Sequence, residues 1–336
     1  MLRIHFTDAD LAKTTVAARP DALWEVAMSL HRFQTRAGRW AHADWYRTTR
    51  LRLGEQQLDH LVREVLLPLF PRAAYFPDFL TPRPTESEGL DAGLDVVMST
   101  SSRRVLHELA LLDRVVGTPR WAWRLAGTRE RAEFVAALRA YHATAVAPVA
   151  NLMQARLQAD RSARTRDLLD GGVHGMLAGL GPAMSWQPPV LSVQYPVEDR
   201  DFHLGGRGLC LIPSHFCWQA PITLADPGLP PVLVYPLLHE PVAPPPTAPL
   251  TALLGRTRAT VLSVTAAGAG ATTSEIARAV GISAPSASRH AAVLRDAGLL
   301  VSNRHATHVL HTLSPAGASL LRASRRRHEG RTGQLR

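Results

Sequence analysis

The sequence predicts an α+β chain, mostly helical, and three observations predict it. Apolar residues recur at helical spacing through most of residues 20–178. From residue 190 to 235 the pattern changes to short β-prone runs separated by Gly or Pro. After residue 250 helical runs return around a single glycine turn and end in a hairpin pattern.

In order along the chain, Leu2–Phe6 alternates like a strand, and Thr7 and Asp8 cap a short turn. Pro20 opens a helix to Arg36, with Leu23, Trp24, Ala27 and Leu30 on one face. Gln56–Leu69 repeats that spacing until Pro68 and Pro71 close it, and Val105–Val116 is apolar enough for a core helix. Arg129–Leu157 reads as one long amphipathic segment kinked at Pro148, where proline removes an internal hydrogen bond. Arg164–Ala178 is a further helix, cut off by Gly179 and Gly181. Strands are expected at Val190–Tyr195, Phe202–Leu204, Leu209–Pro213, Phe216–Trp218 and Val232–Tyr235. Joined by Leu2–Phe6, they would form one sheet and complete an N-terminal α+β domain with short antiparallel strands over residues 1–240. The prolines between 241 and 249 favour extended geometry and mark a linker.

The C-terminal pattern is denser in signals. Thr273 or Ser274 is expected to cap a short helix, with Glu275 in its first turn and Ile276, Ala277 and Val280 on its apolar face. Gly281 stops it, Ile282 plugs the turn, and Ser283 caps a second helix with Pro285 near its start. Ala287, Ala291 and Leu294 mark that helix's buried stripe, and Ser286, Ser288, Arg289 and Arg295 lie on the opposite face. Leu299–Val301 and Val309–His311 read as hairpin strands around a basic tip, Ser302–Thr307, before a last helix over Ala316–Arg322. This order describes a winged helix-turn-helix over 250–323, followed by a basic tail over 324–336. Small hydroxyls and a guanidinium on the second helix suit base edges and phosphates in a DNA major groove. The expected DNA-binding residues are Ser283, Pro285, Ser286, Ser288, Arg289, His290 and Arg295, with Arg304 and His305 on the wing.

Charge points the same way. The chain carries +10, and from Leu250 onward 12 arginines face only Glu275, Asp296 and Glu329, a local +9. A basic segment attached to a near-neutral one is the electrostatic footprint of a nucleic-acid binder.

On these residues, Leu250–Leu321 resembles the winged-helix domain of ArsR-type bacterial regulators, most closely in Ser288-Arg289-His290 and Val293–Leu299. The resemblance implies dimeric operator binding and repression relieved by a ligand. Metal-sensing members carry a cysteine pair in the helix before the turn, and Ser274–Val280 has no cysteine. The tracts LRIHFT, GGRGLCLIPSHFCW and PPVLVYP resemble an uncharacterised N-terminal extension of some actinobacterial ArsR-type regulators, which supplies no activity.

Catalytic patterns are missing. The histidines and acids of residues 1–240 form no HExxH pair, GxSxG elbow or phosphate loop. Gly205-Gly206-Arg207-Gly208 sits between two short strands and reads as a turn. Trp40, Trp45, Trp121 and Trp123 read as core before they read as a ligand pocket. His305, His308 and His311 do not suggest a metal site, because 305 and 308 are expected on opposite faces with one in the turn. Cys210 and Cys217 read as buried strand residues. No cofactor or metal is expected, and no apolar stretch reaches the ~18 residues of a membrane span. The sequence therefore predicts a non-enzymatic, cytoplasmic regulator of transcription. It would bind double-stranded operator DNA as a homodimer, with residues 1–240 dimerising or sensing a small-molecule effector. The alternative is an N-terminal enzyme of unknown type, recruited to nucleic acid or protein by the winged helix.

Overall fold

The computed structural model describes residues 1–82, 89–195, 197, 199–238, 248–267, 269–305 and 308–332, with side chains described up to residue 324 except at 238. Two compact units result. Met1–Gln154 and Arg164–Leu237 form the first, and Ala155–Ala163 with Leu238–Arg336 form the second. Most of the expected linker, 241–247, lies outside the described residues, while Ala248 and Pro249 already open a helix. Residues 155–163 belong with the C-terminal segment although the sequence placed them within 1–240. Helical periodicity shows that a face is buried, but it does not show against which partner.

The first unit runs β1 (Leu2–His5), α1 (Asp8–Lys13), β2 (Thr15–Val16), α2 (Ala22–Phe33), α3 (Ala43–Glu55), α4 (Asp59–Leu61), α5 (Gly89–Ser99), α6 (Ser102–Val116), α7 (Thr128–Tyr141) and α8 (Ala150–Ala178), apart from residues 155–163 of α8. It continues with β3 (Met184–Gln187), β4 (Val190–Val193), β5 (Arg200–His203), β6 (Cys210–Trp218) and β7 (Val232–Leu238). Its strands form two sheets instead of the expected one, ordered β3-β4-β1-β5 and β2-β6-β7. Nor are they all antiparallel: β1 runs parallel to β5, and β2 parallel to β6. A parallel pair needs a long crossover, and the helices between these strands supply one. The alternation of apolar residues carries no information on strand direction.

Helix α2 is the centre of this unit. Asp21 caps it by accepting from the Leu23 and Trp24 amides, and every residue from Leu23 to Arg32 is buried. A helix buried on all sides must satisfy its polar side chains internally. Glu25 does so by accepting from the Ser214 hydroxyl at 3.0 Å and from the His215 and Phe216 amides at 2.7 and 3.1 Å. Burial pushes its carboxyl up to about 7. This contact explains why the two strands expected at Leu209–Pro213 and Phe216–Trp218 are one strand, β6. The polar Ser214 and His215 stay inside the sheet because Glu25 meets them. Cys210 and Cys217 both lie on that strand and are not joined in a disulfide.

Between α7 and α8 the chain passes through a π turn at His142–Val146 and a 3-10 turn at Ala147–Val149, so the helix breaks around Pro148. The helix expected over Gln56–Leu69 is shorter, with α4 followed by a π turn at Val62–Leu66.

The second unit runs α9 (Ala248–Leu254), α10 (Arg256–Ala266), β8 (Ala271–Thr272), α11 (Thr273–Val280), α12 (Ala284–Asp296), β9 (Leu300–His305), β10 (His308–Leu313) and α13 (Pro315–Thr332). Its sheet is ordered β8-β10-β9. Its core includes Leu262, Ile276, Ala287, Leu294 and Leu300. Helix α13 continues ten residues beyond the expected end at Arg322, so most of the expected basic tail is helical, and 333–336 lie outside the described residues. Arginine is a good helix former and proline is absent from that stretch.

Residue Arg156, in the 155–163 segment of α8, is 1% exposed and donates to both carboxylate oxygens of Glu275, at 2.8 and 2.9 Å. Removing one partner of such a pair strands a buried charge, at a cost of about 3–5 kcal/mol. Arg156→Ala is therefore expected to destabilise the second unit by that amount in urea denaturation followed by far-UV circular dichroism. An unchanged transition would show that the pair contributes nothing.

Candidate nucleic-acid interface

The geometry of α12 is set by the residues before it. Thr272 has extended backbone and caps α11, accepting from the Glu275 amide, while the Glu275 carboxylate accepts from the Thr272 amide at 2.7 Å. This reciprocal capping box moves the helix start one residue ahead of the expected Thr273 or Ser274. Three successive hydroxyl residues could each serve as cap, and Thr272 is the one three residues before Glu275. Gly281 closes α11 in the left-handed region at φ 73°, where a side chain would be strained. Ile282 then packs against the core, and Ser283 caps α12 by accepting from the Ser286 amide at 3.4 Å. Pro285 lies in the first turn, where its missing amide costs no bond.

On α12, Ala287, Ala291 and Leu294 are buried against the core. Pro285, Ser288 and Arg289 are exposed on another face. Neither Ser288 nor Arg289 has a side-chain hydrogen bond or ion pair among the described residues, so both are available to a ligand. The remaining residues are less open. Ser286 is half-buried and its hydroxyl accepts from that of Ser283 at 3.0 Å, while His290 is half-buried. Arg295 pairs with Asp296 at 2.8 Å, both side chains being exposed. Such a pair is weak enough to be exchanged for a phosphate. The sequence reading passed over Val293, four residues after Arg289 and 42% exposed. An exposed apolar side chain at that spacing suits a thymine methyl group.

The wing differs from expectation in register. Strand β9 extends to His305, so Arg304 and His305 sit in a strand opposite Val309 and His308, not in the turn. Residues 306 and 307, between the two strands in the sequence, lie outside the described residues. Arg304 is exposed, whereas His305 is half-buried with its Nε2 atom unpartnered. His305 and His308 are direct cross-strand partners and share a face, which corrects the expectation of opposite faces. His311 lies on the other face, opposite Ser302. Among the described residues no group of three or more His, Cys, Asp or Glu side chains is placed to hold a metal.

His311 has a structural position that the sequence did not suggest. It is 5% exposed and its two ring nitrogens meet the Thr273 hydroxyl at 3.0 Å and the Ser302 hydroxyl at 2.8 Å. It thereby joins β10 to both α11 and β9.

With this geometry in place, sequence comparison adds one match. Residues 254–308 match the model of the MarR family. The matched span runs from the end of α9 through α10, α11, α12 and β9 to the first residue of β10. It supports a winged helix-turn-helix of the regulator type, without singling out the ArsR branch. No characterised protein and no solved structure matches the chain. No helix among the described residues is long and apolar enough to cross a membrane.

Burial first, and Arg295 second, hold the His311 imidazolium below its ordinary value of 6.5. The folded state thus prefers neutral His311. Its contribution to stability is complete above 6.5 and is lost as pH falls from there through the lowered folded value. The urea midpoint of the wild type should drop more between pH 7.5 and pH 5.5 than that of His311→Gln. Parallel drops in the two proteins would show that His311 is not the titrating group.

Proposed function

We propose that this chain is a sequence-specific DNA-binding regulator of transcription that places α12 in the major groove of double-stranded operator DNA. The observation that carries the reading is the unpartnered Ser288–Arg289 pair on the exposed face of a helix in a winged helix-turn-helix. The local +9 charge and the match to a MarR-family model add support. The finer proposal follows from the Ser288-Arg289-His290 phrase and its ArsR-type resemblance. The chain acts as a homodimeric repressor in the cytoplasm, does no catalysis, and releases its operator when the first unit takes up a small effector. Regulation of this kind requires the effector to favour one arrangement of the two recognition helices.

Fluorescence anisotropy with fragments from the gene's own upstream region tests the reading. Affinity should fall steeply with salt as counterions are released from the phosphates. Arg289→Ala should cost about 1–3 kcal/mol on the specific fragment and less on random DNA if Arg289 reads a base. Equal losses on both would place it on phosphates. Failure to bind any genomic fragment at low salt would refute the regulator.

A further inference from the structure

In the first unit four clustered, buried side chains each keep a polar atom with no hydrogen-bond partner among the described residues. Arg32, in the last turn of α2, is 7% exposed. Its Nη1 donates to the Ala37 carbonyl at 3.2 Å, its Nε has no partner, and it forms no ion pair among the described residues. A buried guanidinium without a counter-ion is one of the costliest arrangements a protein can hold. Burial pushes its pKa down to about 10. Next to it, His31 is 5% exposed, donates one ring N–H to the Pro71 carbonyl and leaves Nε2 without a partner. Burial, with Arg32 and Arg72, holds its pKa at about 3, so Nε2 carries a lone pair that accepts a hydrogen bond. Trp218 is 6% exposed and its indole N–H is unpartnered. The buried Tyr75 hydroxyl, near the Asp78 amide, finds no acceptor for its own proton.

These four side chains line one cavity of about 370 Å³, together with the exposed Arg72 and with Asp78. That volume falls in the range of small-molecule sites. Asp78 does not serve as counter-ion to Arg32. Its carboxylate accepts from the Ala225 and Asp226 amides at 3.1 and 2.9 Å. Burial pushes its carboxyl up to about 6. The rings of Tyr75, Phe76 and Trp218 supply flat apolar walls. An occupant that completes this set must present acceptors to Arg32, Tyr75 and Trp218, a negative charge to the two arginines, and one donor to His31.

We propose that the cavity binds a small, flat organic carboxylate carrying one N–H or O–H donor. Its use as the effector site rests on the regulator reading, whereas the binding itself does not. Isothermal titration of the full chain with indole-3-acetate, 4-hydroxyphenylacetate and 4-aminobenzoate, each against its primary amide, tests the site. At least one acid should bind and quench tryptophan fluorescence, with its amide about tenfold weaker or worse, as the loss of a charge-assisted hydrogen bond implies. Arg72→Gln, at an exposed position, and Tyr75→Phe, which keeps the ring, should each weaken that acid several-fold. Arg32→Gln should abolish binding, and if it fails to fold the other two variants carry the test. No binding of any acid at millimolar concentration, equal binding of acid and amide, or binding unchanged in Arg72→Gln would overturn the proposal. The titration contains no DNA, so its failure is distinct from failure of the operator-binding reading.

Discussion

The second unit depends on the carboxylate of Glu275. It receives the Thr272 amide and so completes the cap of α11, and it also receives the buried guanidinium of Arg156. Helix α11 leads directly through Gly281 into α12, so whatever fixes the first turn of α11 also fixes the helix that carries Ser288 and Arg289. Arg156 stands 119 positions earlier in the chain. A helix of eight residues would be marginal on its own, and packing together with this cap holds it. The orientation of the candidate DNA-reading face is therefore set partly by a residue far outside the helix-turn-helix.

What was legible in the sequence follows from this distinction between local and distant causes. The positive φ at Gly281, the cap at Ser283 and the buried stripe of Ala287, Ala291 and Leu294 are local, and each could be derived from neighbours within a turn or two. The role of Arg156 was not legible, because nothing in the spacing of α8 reveals a partner 119 residues away. The wing shows an intermediate case. Alternation identified two strands, but the polar residues Ser302–His305 suggested a loop, since polar side chains satisfied across a sheet look like turn residues in a sequence. The contact between Ser302 and His311 is what makes that stretch strand.

In the first unit the same limits apply. The tract at residues 205–208 was read as a turn, and the structure supplies the reason. Gly206 and Gly208 have φ of 81° and 75°, and the Gly208 amide donates to the fully buried carboxylate of Asp10 at 2.9 Å. A Cβ at Gly208 would lie 2.6 Å from the Lys13 backbone oxygen, so no larger residue fits. The amide is occupied by a side chain of the fold and is not offered to a phosphate. Tryptophans were harder to place from sequence alone. Trp45 donates to the Ala145 carbonyl at 2.7 Å and belongs to the core, whereas Trp218, which no spacing had singled out, lines the cavity.

Most buried charges of this unit are met within it, whichever their sign. Its buried acids are met by the chain: Asp10 by Gly208 and Thr7, Glu25 by three donors on β6, and Asp78 by two amides. Such satisfaction is the normal condition of buried polar groups. Arg131, a buried cation, is likewise met by the carbonyls of Leu125, Ala126, Met98 and Thr100. Arg32 departs from this pattern, with one carbonyl contact and a bare Nε, and so do its neighbours His31 and Trp218. Orphaned buried atoms also occur elsewhere in the unit, at Trp24 Nε1, Arg39 Nε and Thr81 Oγ1. Arg32, His31, Tyr75 and Trp218 differ from these in bordering one cavity, where a molecule outside the chain can supply the partners that the fold does not.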